Sequence, residues 1–285
     1  MTIGLTGRGH NGITGQKVNQ SNQGLEEART HAQAQWNANP CGAVPGEGHD
    51  RDFFAQVEKE RYRQQYWQHD FFDYESFGGR RVLEIGVGLG TDLKQFARNG
   101  AECYGIDITD KHLELTRQNF AAEGYALTLR KSDATSIPFP DGYFDCVYSF
   151  GVIHHIPDVD AVLEETHRVL KPGGLLQVAV YHLFSIHTLT LFLRALLSGR
   201  IATMGIAGVL ATIELGADGR AVKPYVKLYS ASGLKDLLQR RHFEVTEIGM
   251  RQVNFDGSPI MNVFRRFERL LGWYVCARSR KAASR

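Results

Sequence analysis

From Gly79 to Tyr181 short apolar runs alternate with amphipathic stretches of helical length, and this alternation restricts the fold more than any other feature. Arg81–Ile85, Glu102–Ile106, Ala126–Lys131, Phe144–Phe150 and Leu175–Tyr181 read as strands. Thr91–Asn99, Asp110–Glu123 and Val159–Leu170 read as helices, closed by Gly100, by Gly124 and by Pro172-Gly173-Gly174. Strands spaced by helices of this length run parallel and bury both faces, which predicts an α/β sheet covered on each side. The rhythm stops over Leu183–Val222, two apolar helical stretches joined near Ser198-Gly199. It resumes with Ser230–Arg241 as helix and Phe243–Ile248 as strand, then Met261–Leu271 as helix and Trp273–Arg278 as a final strand.

The first strand runs into VLEIGVGLGTD, Val82–Asp92. A glycine turn after such a strand commonly holds part of a nucleotide, and the dinucleotide fingerprint is G-x-G-x-x-G. Here Gly86, Gly88 and Gly90 give G-x-G-x-G, with Thr91 at the sixth position. Glu84, two residues before the first glycine, would repel a pyrophosphate. It suits a ligand bearing an ammonium and a sulfonium, such as S-adenosylmethionine (SAM). Asp107 ends the second strand about 20 residues past the loop, where an acid takes both ribose hydroxyls. Asp133-Ala134 follows the third strand, offering an acid to the adenine amine and a backbone N–H to a ring nitrogen.

VLEIGVGLG, GIDIT, SDATSIPFPDGYFD, SFGVIHH and RVLKPGG occur in that order between Arg81 and Tyr181. In this the chain resembles the class I SAM-dependent methyltransferases, in the branch of ubiquinone/menaquinone C-methyltransferases and other small-molecule enzymes. The resemblance implies a Rossmann-like, seven-stranded sheet with helices on both faces and an antiparallel last strand. It also implies an N-terminal helical extension over 26–78, a methyltransferase domain over 79–285, and a lid-like insertion at 183–229 after strand five. SAM is the implied cofactor. The expected contacts are Tyr62, Glu84, Gly86, Gly88, Asp107, Ile108, Asp133, Ala134 and Phe150, with Tyr62 set against the methionine moiety by a helix over Arg51–Phe72.

Three further residues are catalytic candidates. His154 and His155 follow strand four at the carboxyl edge, where ligands bind in such sheets. One of them is a general base, or the pair packs beneath the loop. Tyr181, ending strand five before His182, either orients a nucleophile or caps the entry to the insertion. Metal use is not expected, because the positions that hold an acid and an Asp-Asn pair in catechol-type relatives read Phe150 and Tyr181-His182. The apolar residues of Leu183–Val222, among them Phe184, Leu189, Phe192, Met204 and Ile206, are too many for a solvated loop. They fit a lid over a lipophilic acceptor, a second core, or a homodimer contact.

Composition narrows the partners. A net charge of +2 over 285 residues does not suggest a nucleic-acid binder. Leu183–Leu197 is interrupted by His187 and Arg194 and is shorter than the roughly 20 residues a membrane span needs, so no stable insertion is expected. Met1–Gln35 lacks a signal-peptide apolar core, and residues 1–25 read as a disordered tail. Cys41, Cys103, Cys146 and Cys276 lie far apart, Cys103 and Cys146 within apolar strands, which suggests a reducing, cytoplasmic setting. The expected activity is methyl transfer to a small apolar or aromatic molecule, with O-, N-, S- and C-methylation open. The alternatives are a macromolecule methyltransferase and a non-catalytic SAM-binding protein.

Overall fold

The structure, a computed structural model, describes Thr30, Gln33 and residues 49–210, 212–213, 225–253 and 263–282. The expected tail, and most of residues 26–48 of the expected N-terminal extension, lie outside these residues. The sheet has seven strands in the order β3-β2-β1-β4-β5-β7-β6. They are β1 (Arg81–Ile85), β2 (Glu102–Asp107), β3 (Thr128–Lys131), β4 (Phe144–Phe150), β5 (Leu170–Tyr181), β6 (Phe243–Arg251) and β7 (Tyr274–Lys281). The first five run parallel and β7 is antiparallel to both neighbours, as expected.

The central strands are apolar because both faces are covered. One face packs against α5 (Val159–Val169) and α8 (Ala231–Arg240) through Val162, Leu163, Leu234 and Leu238. The other meets α2 (Gln68–Phe71), α3 (Thr91–Arg98) and α4 (Asp110–Ala121) through Phe71, Leu93, Phe96 and Phe120. Cys103 and Cys146 flank Val82 on either side of β1, and both are buried. The sequence places the start of β5 at Leu175. It begins at Leu170 instead, because Leu170 pairs with Phe144 ahead of a register shift in which β5 carries the extra residues.

The expected single helix Arg51–Phe72 is two: α1 (Arg51–Gln64) and α2, separated by a turn at Gln65–Trp67. Asp50 caps α1 by accepting from Phe53 N at 2.9 Å. Lys94, 1% exposed, fastens α1 to the sheet's helices: its Nζ lies 3.1 Å from Glu58, 2.7 Å from Glu123 and 2.8 Å from Asn119 Oδ1. Burial alone would raise the Glu58 pKa, but Arg98 and Lys94 more than offset it and hold the carboxyl below its usual range.

After β5 come α6 (Ile186–Leu197) and α7 (Arg200–Leu210), the latter kinked at Gly205. Sequence reading leaves the apolar residues here as a lid, a second core or a homodimer contact. In α6 only Thr188 and Ala195 are buried, while Leu189, Leu193, Leu196 and Leu197 are 50–79% exposed. Before β7 a 3-10 turn (Val263–Phe267) leads into the short α9 (Glu268–Leu271), where one helix from Met261 is expected.

Candidate functional site

The glycine turn is shaped by backbone conformations that exclude side chains. Gly86, Gly88 and Gly90 adopt φ of 77°, 55° and 72°, a region that costs other residues dearly. A Cβ on Gly86 would sit 2.4 Å from Val152 Cγ2, and one on Gly90 2.6 Å from Thr116 Cγ2. At Gly88 it would meet nothing within 4 Å. The turn therefore presents bare backbone to open space at Gly88, with the N-terminus of α3 directly behind it. This is a cradle for a ligand that must approach main-chain groups closely.

Glu84 lies beneath this turn, 4% exposed. Its Oε2 accepts from Leu93 N in the first turn of α3 at 3.1 Å, so it braces the helix behind the loop. Burial, with the Asp92 carboxylate nearby, pushes its pKa well above the ordinary range. Asp92 is the residue the sequence reading missed. It accepts from Arg61 Nε, Tyr62 OH and Tyr148 OH, each at 3.0 Å, and pairs with a second Arg61 nitrogen. Tyr148 in turn shares a 3.1 Å hydrogen bond with Tyr74. The Arg61 guanidinium lies 4.6 Å over the Phe150 ring. Tyr62 is thus part of a charged cluster centred on Asp92, in the first turn of the helix after the glycine turn. The signal available was modest: an acid in the first turn of a helix that follows a glycine loop.

Asp107 ends β2 and is nearly buried, at 7%. Its Oδ1 accepts from Thr109 N and Thr109 Oγ1, both at 2.9 Å. Its Oδ2 accepts from Gly88 N at 3.3 Å and lies 3.1 Å from His112 Nδ1. Four donors fill the four lone-pair directions of a carboxylate, so a ribose diol has to displace one, and Gly88 N holds the longest bond. Ile108 beside it is half-buried, and its carbonyl accepts from Gln33 Nε2 at 2.9 Å. Asp133 Oδ1 accepts from Thr135 N at 2.7 Å and from its hydroxyl at 2.6 Å, setting the turn that buries Ala134. The four groups share the carboxyl edge of the first three strands. With the glycine cradle and the Asp92–Arg61 pair beside it, they suit an amino acid joined to a nucleoside.

On the other side of the switch from β1 to β4, Phe150 ends β4 with its ring 4.7 Å from Tyr274 and 5.9 Å from Trp67. His154 is fully buried and stacks 3.9 Å from Tyr181. His155 is half-buried, 4.0 Å from His154, with Nδ1 3.1 Å from the Tyr225 carbonyl. Tyr181 stacks on Trp273 at 4.3 Å. All three catalytic candidates therefore gather in one largely buried aromatic cluster. Trp273 and Tyr274 complete it from β7, more than ninety residues away in sequence, where no local motif marks them.

Residues 83–178 match the family described as a methyltransferase domain. Methyltransferase GfsG of Streptomyces halstedii is 29% identical over 72% of this chain and 68% of its own length. A ubiquinone biosynthesis O-methyltransferase of Chelativorans sp. is 31% identical over 52% of this chain, which spans 55% of that enzyme. In fold, a SAM-dependent methyltransferase of Methanosarcina mazei superposes with a TM-score of 0.55 at 19% identity, covering 76% of this chain and 97% of that one. The domain match across the cofactor strands, taken with these relatives, places the chain among the class I SAM-dependent methyltransferases, enzymes whose cofactor is SAM.

Proposed function

We propose that this enzyme transfers the SAM methyl group to a small lipophilic or aromatic acceptor at the carboxyl edge of β4 and β5. The aromatic cluster carries this reading. Tyr181, Trp273, Tyr274 and Phe150, each only 5–9% exposed, form a continuous set of ring contacts beside the charged cluster at Asp92, and flat apolar rings pack well among such rings. Relatives named for ubiquinone biosynthesis and for sterol 24-C-methylation support an acceptor of this class.

In this reading the Gly86–Gly90 turn and Arg61 hold the methionine end of the cofactor. Asp107 and Ile108 hold the ribose side, and Asp133 and Ala134 the adenine. SAM supplies a methyl group already activated by its sulfonium. The chain's own task is to align the acceptor, a gain that in well-oriented systems corresponds to effective molarities of about 10⁵–10⁸ M. Where the acceptor atom is protonated, a base is needed as well. His155 is placed for that: an Nδ1 that faces the Tyr225 carbonyl must carry its proton, which leaves Nε2 as the basic nitrogen. His154, enclosed beneath Tyr181, positions that ring.

Labelled SAM offered with a panel of phenols, quinols and sterols tests the reading. Transfer to at least one flat lipophilic acceptor is expected. His155→Ala should then lower kcat by about 10²–10⁴ for a hydroxyl acceptor, the range of a lost general base, with S-adenosylhomocysteine affinity unchanged. Label appearing only in protein or RNA would overturn the acceptor class, and full activity in the variant would remove the base.

A further inference from the structure

All eleven exposed large apolar side chains among the described residues fall in two segments, α6–α7 with the residues leading into it and the 3-10 turn with α9. These segments leave the same edge of the molecule. Tyr181 at the end of β5 pairs with Tyr274 at the start of β7. His182 N donates to the Trp273 carbonyl at 2.7 Å, its Nδ1 lies 2.9 Å from the Gly272 carbonyl, and the His187 ring meets Trp273 at 4.6 Å. The start of α6 therefore touches the end of α9.

The outer face of α6 is apolar. Thr188 and Ala195 turn inward and Ile186, Leu191 and Phe192 are half-buried, while Leu189, Leu193, Leu196 and Leu197, spaced i, i+4, i+7 and i+8, form an outward stripe beside Arg194. A helix that leaves four leucines exposed in one stripe is shaped for something outside the chain. Charge indicates what that is. Arg194, Arg200, Arg265, Arg266 and Arg269 are all exposed on the two segments. Glu268 is the only acid among their described residues, and its Oε1 is held inward by Tyr66 OH at 2.6 Å and Gln252 N at 2.8 Å. A second copy of the same face would bring arginine toward arginine. An anionic lipid surface accepts both the leucines and the arginines.

We propose that this edge docks on an anionic membrane surface, with α6 lying in the interface rather than crossing it. No helix among the described residues is long and apolar enough to span, and interfacial binding of this kind grows with buried apolar area plus attraction to anionic lipid. The surface adjoins Tyr181 and Trp273, so an acceptor dissolved in the bilayer would enter beside the aromatic site. Docking itself needs no turnover, and its test is independent of the acceptor reading above.

The test is co-sedimentation of the full chain with vesicles of phosphatidylcholine, with and without phosphatidylglycerol. The expected result is binding to the phosphatidylglycerol vesicles that weakens as salt screens the arginines. Leu193→Glu with Leu197→Glu, at positions 56% and 79% exposed, should weaken it at least roughly tenfold by removing apolar insertion. Arg194→Glu with Arg200→Glu should abolish the preference for anionic vesicles. Both double variants should bind S-adenosylhomocysteine like the parent, which shows that they fold. Absence of vesicle binding by the parent overturns the proposal, as does unchanged binding by the leucine variant. So does a parent dimer in sedimentation velocity that the leucine variant dissociates while vesicle binding is missing.

Discussion

The cofactor half of the site and the acceptor half are built by different means. From Glu84 to Ala134 the side chains proposed to meet SAM sit at strand ends and in tight turns, held largely by neighbours close in sequence. Asp107 is held by Thr109 and His112, Asp133 by Thr135, and the glycine turn by its own backbone conformation. The acceptor half joins β4, β5 and β7 through ring contacts between residues far apart in the chain. Local hydrogen bonding makes the first half rigid and common to many enzymes. Long-range aromatic packing makes the second adjustable, one substitution at a time. Asp92 is the exception, since it lies in the cofactor half yet depends on Arg61 and Tyr62 from the N-terminal extension.

That exception gives the largest expected effect. Asp92→Ala should cost about 3–5 kcal/mol of stability, because it leaves a largely buried guanidinium and two phenols without their acceptor. Denaturant unfolding beside Asp92→Asn checks this. A loss below about 1 kcal/mol would mean that the cluster is a solvated surface pair and that α1 is held by the Lys94 network instead.

Asp107→Asn should weaken S-adenosylhomocysteine binding by about 1.5–3 kcal/mol, the scale of a hydrogen bond to a charged group. The amide presents a donor to Thr109 or His112 where the carboxylate presents an acceptor. Calorimetry on the folded variant decides the matter, and an unchanged Kd would move the ribose to other residues. Acceptor-side substitutions such as His155→Ala should leave this constant alone, which is the difference between the two halves restated as a measurement.

Glu84→Gln gives the most specific effect, read as a slope with pH. Burial raises the Glu84 pKa in the folded protein above its unfolded value near 4.5. Above that pH the unfolded chain has released a proton that the folded chain keeps, so stability falls as pH rises toward the folded pKa. The contribution is at most about 1.4 kcal/mol per pH unit. Unfolding of parent and variant without cofactor between pH 5 and 8 should show that slope in the difference. Parallel curves would mean Glu84 stays ionised when buried, paired with Arg61 more strongly than its repulsion by Asp92.

The sequence by itself determined the sheet and the cofactor edge. Alternating apolar runs call for parallel strands covered on both faces, and the G-x-G-x-G turn with acids at Glu84, Asp107 and Asp133 is a local pattern because its chemistry is local. The tertiary structure decided the rest. It chose which histidine is enclosed, since His154 and His155 have the same composition and differ only in the packing of Tyr181 against them. It brought Trp273 and Tyr274 to the site through the antiparallel return of β7. It also turned the leucines of α6 outward, where apolar periodicity alone predicts burial. Periodicity reports that a helix has an apolar face; which way that face points depends on what the rest of the chain has already covered.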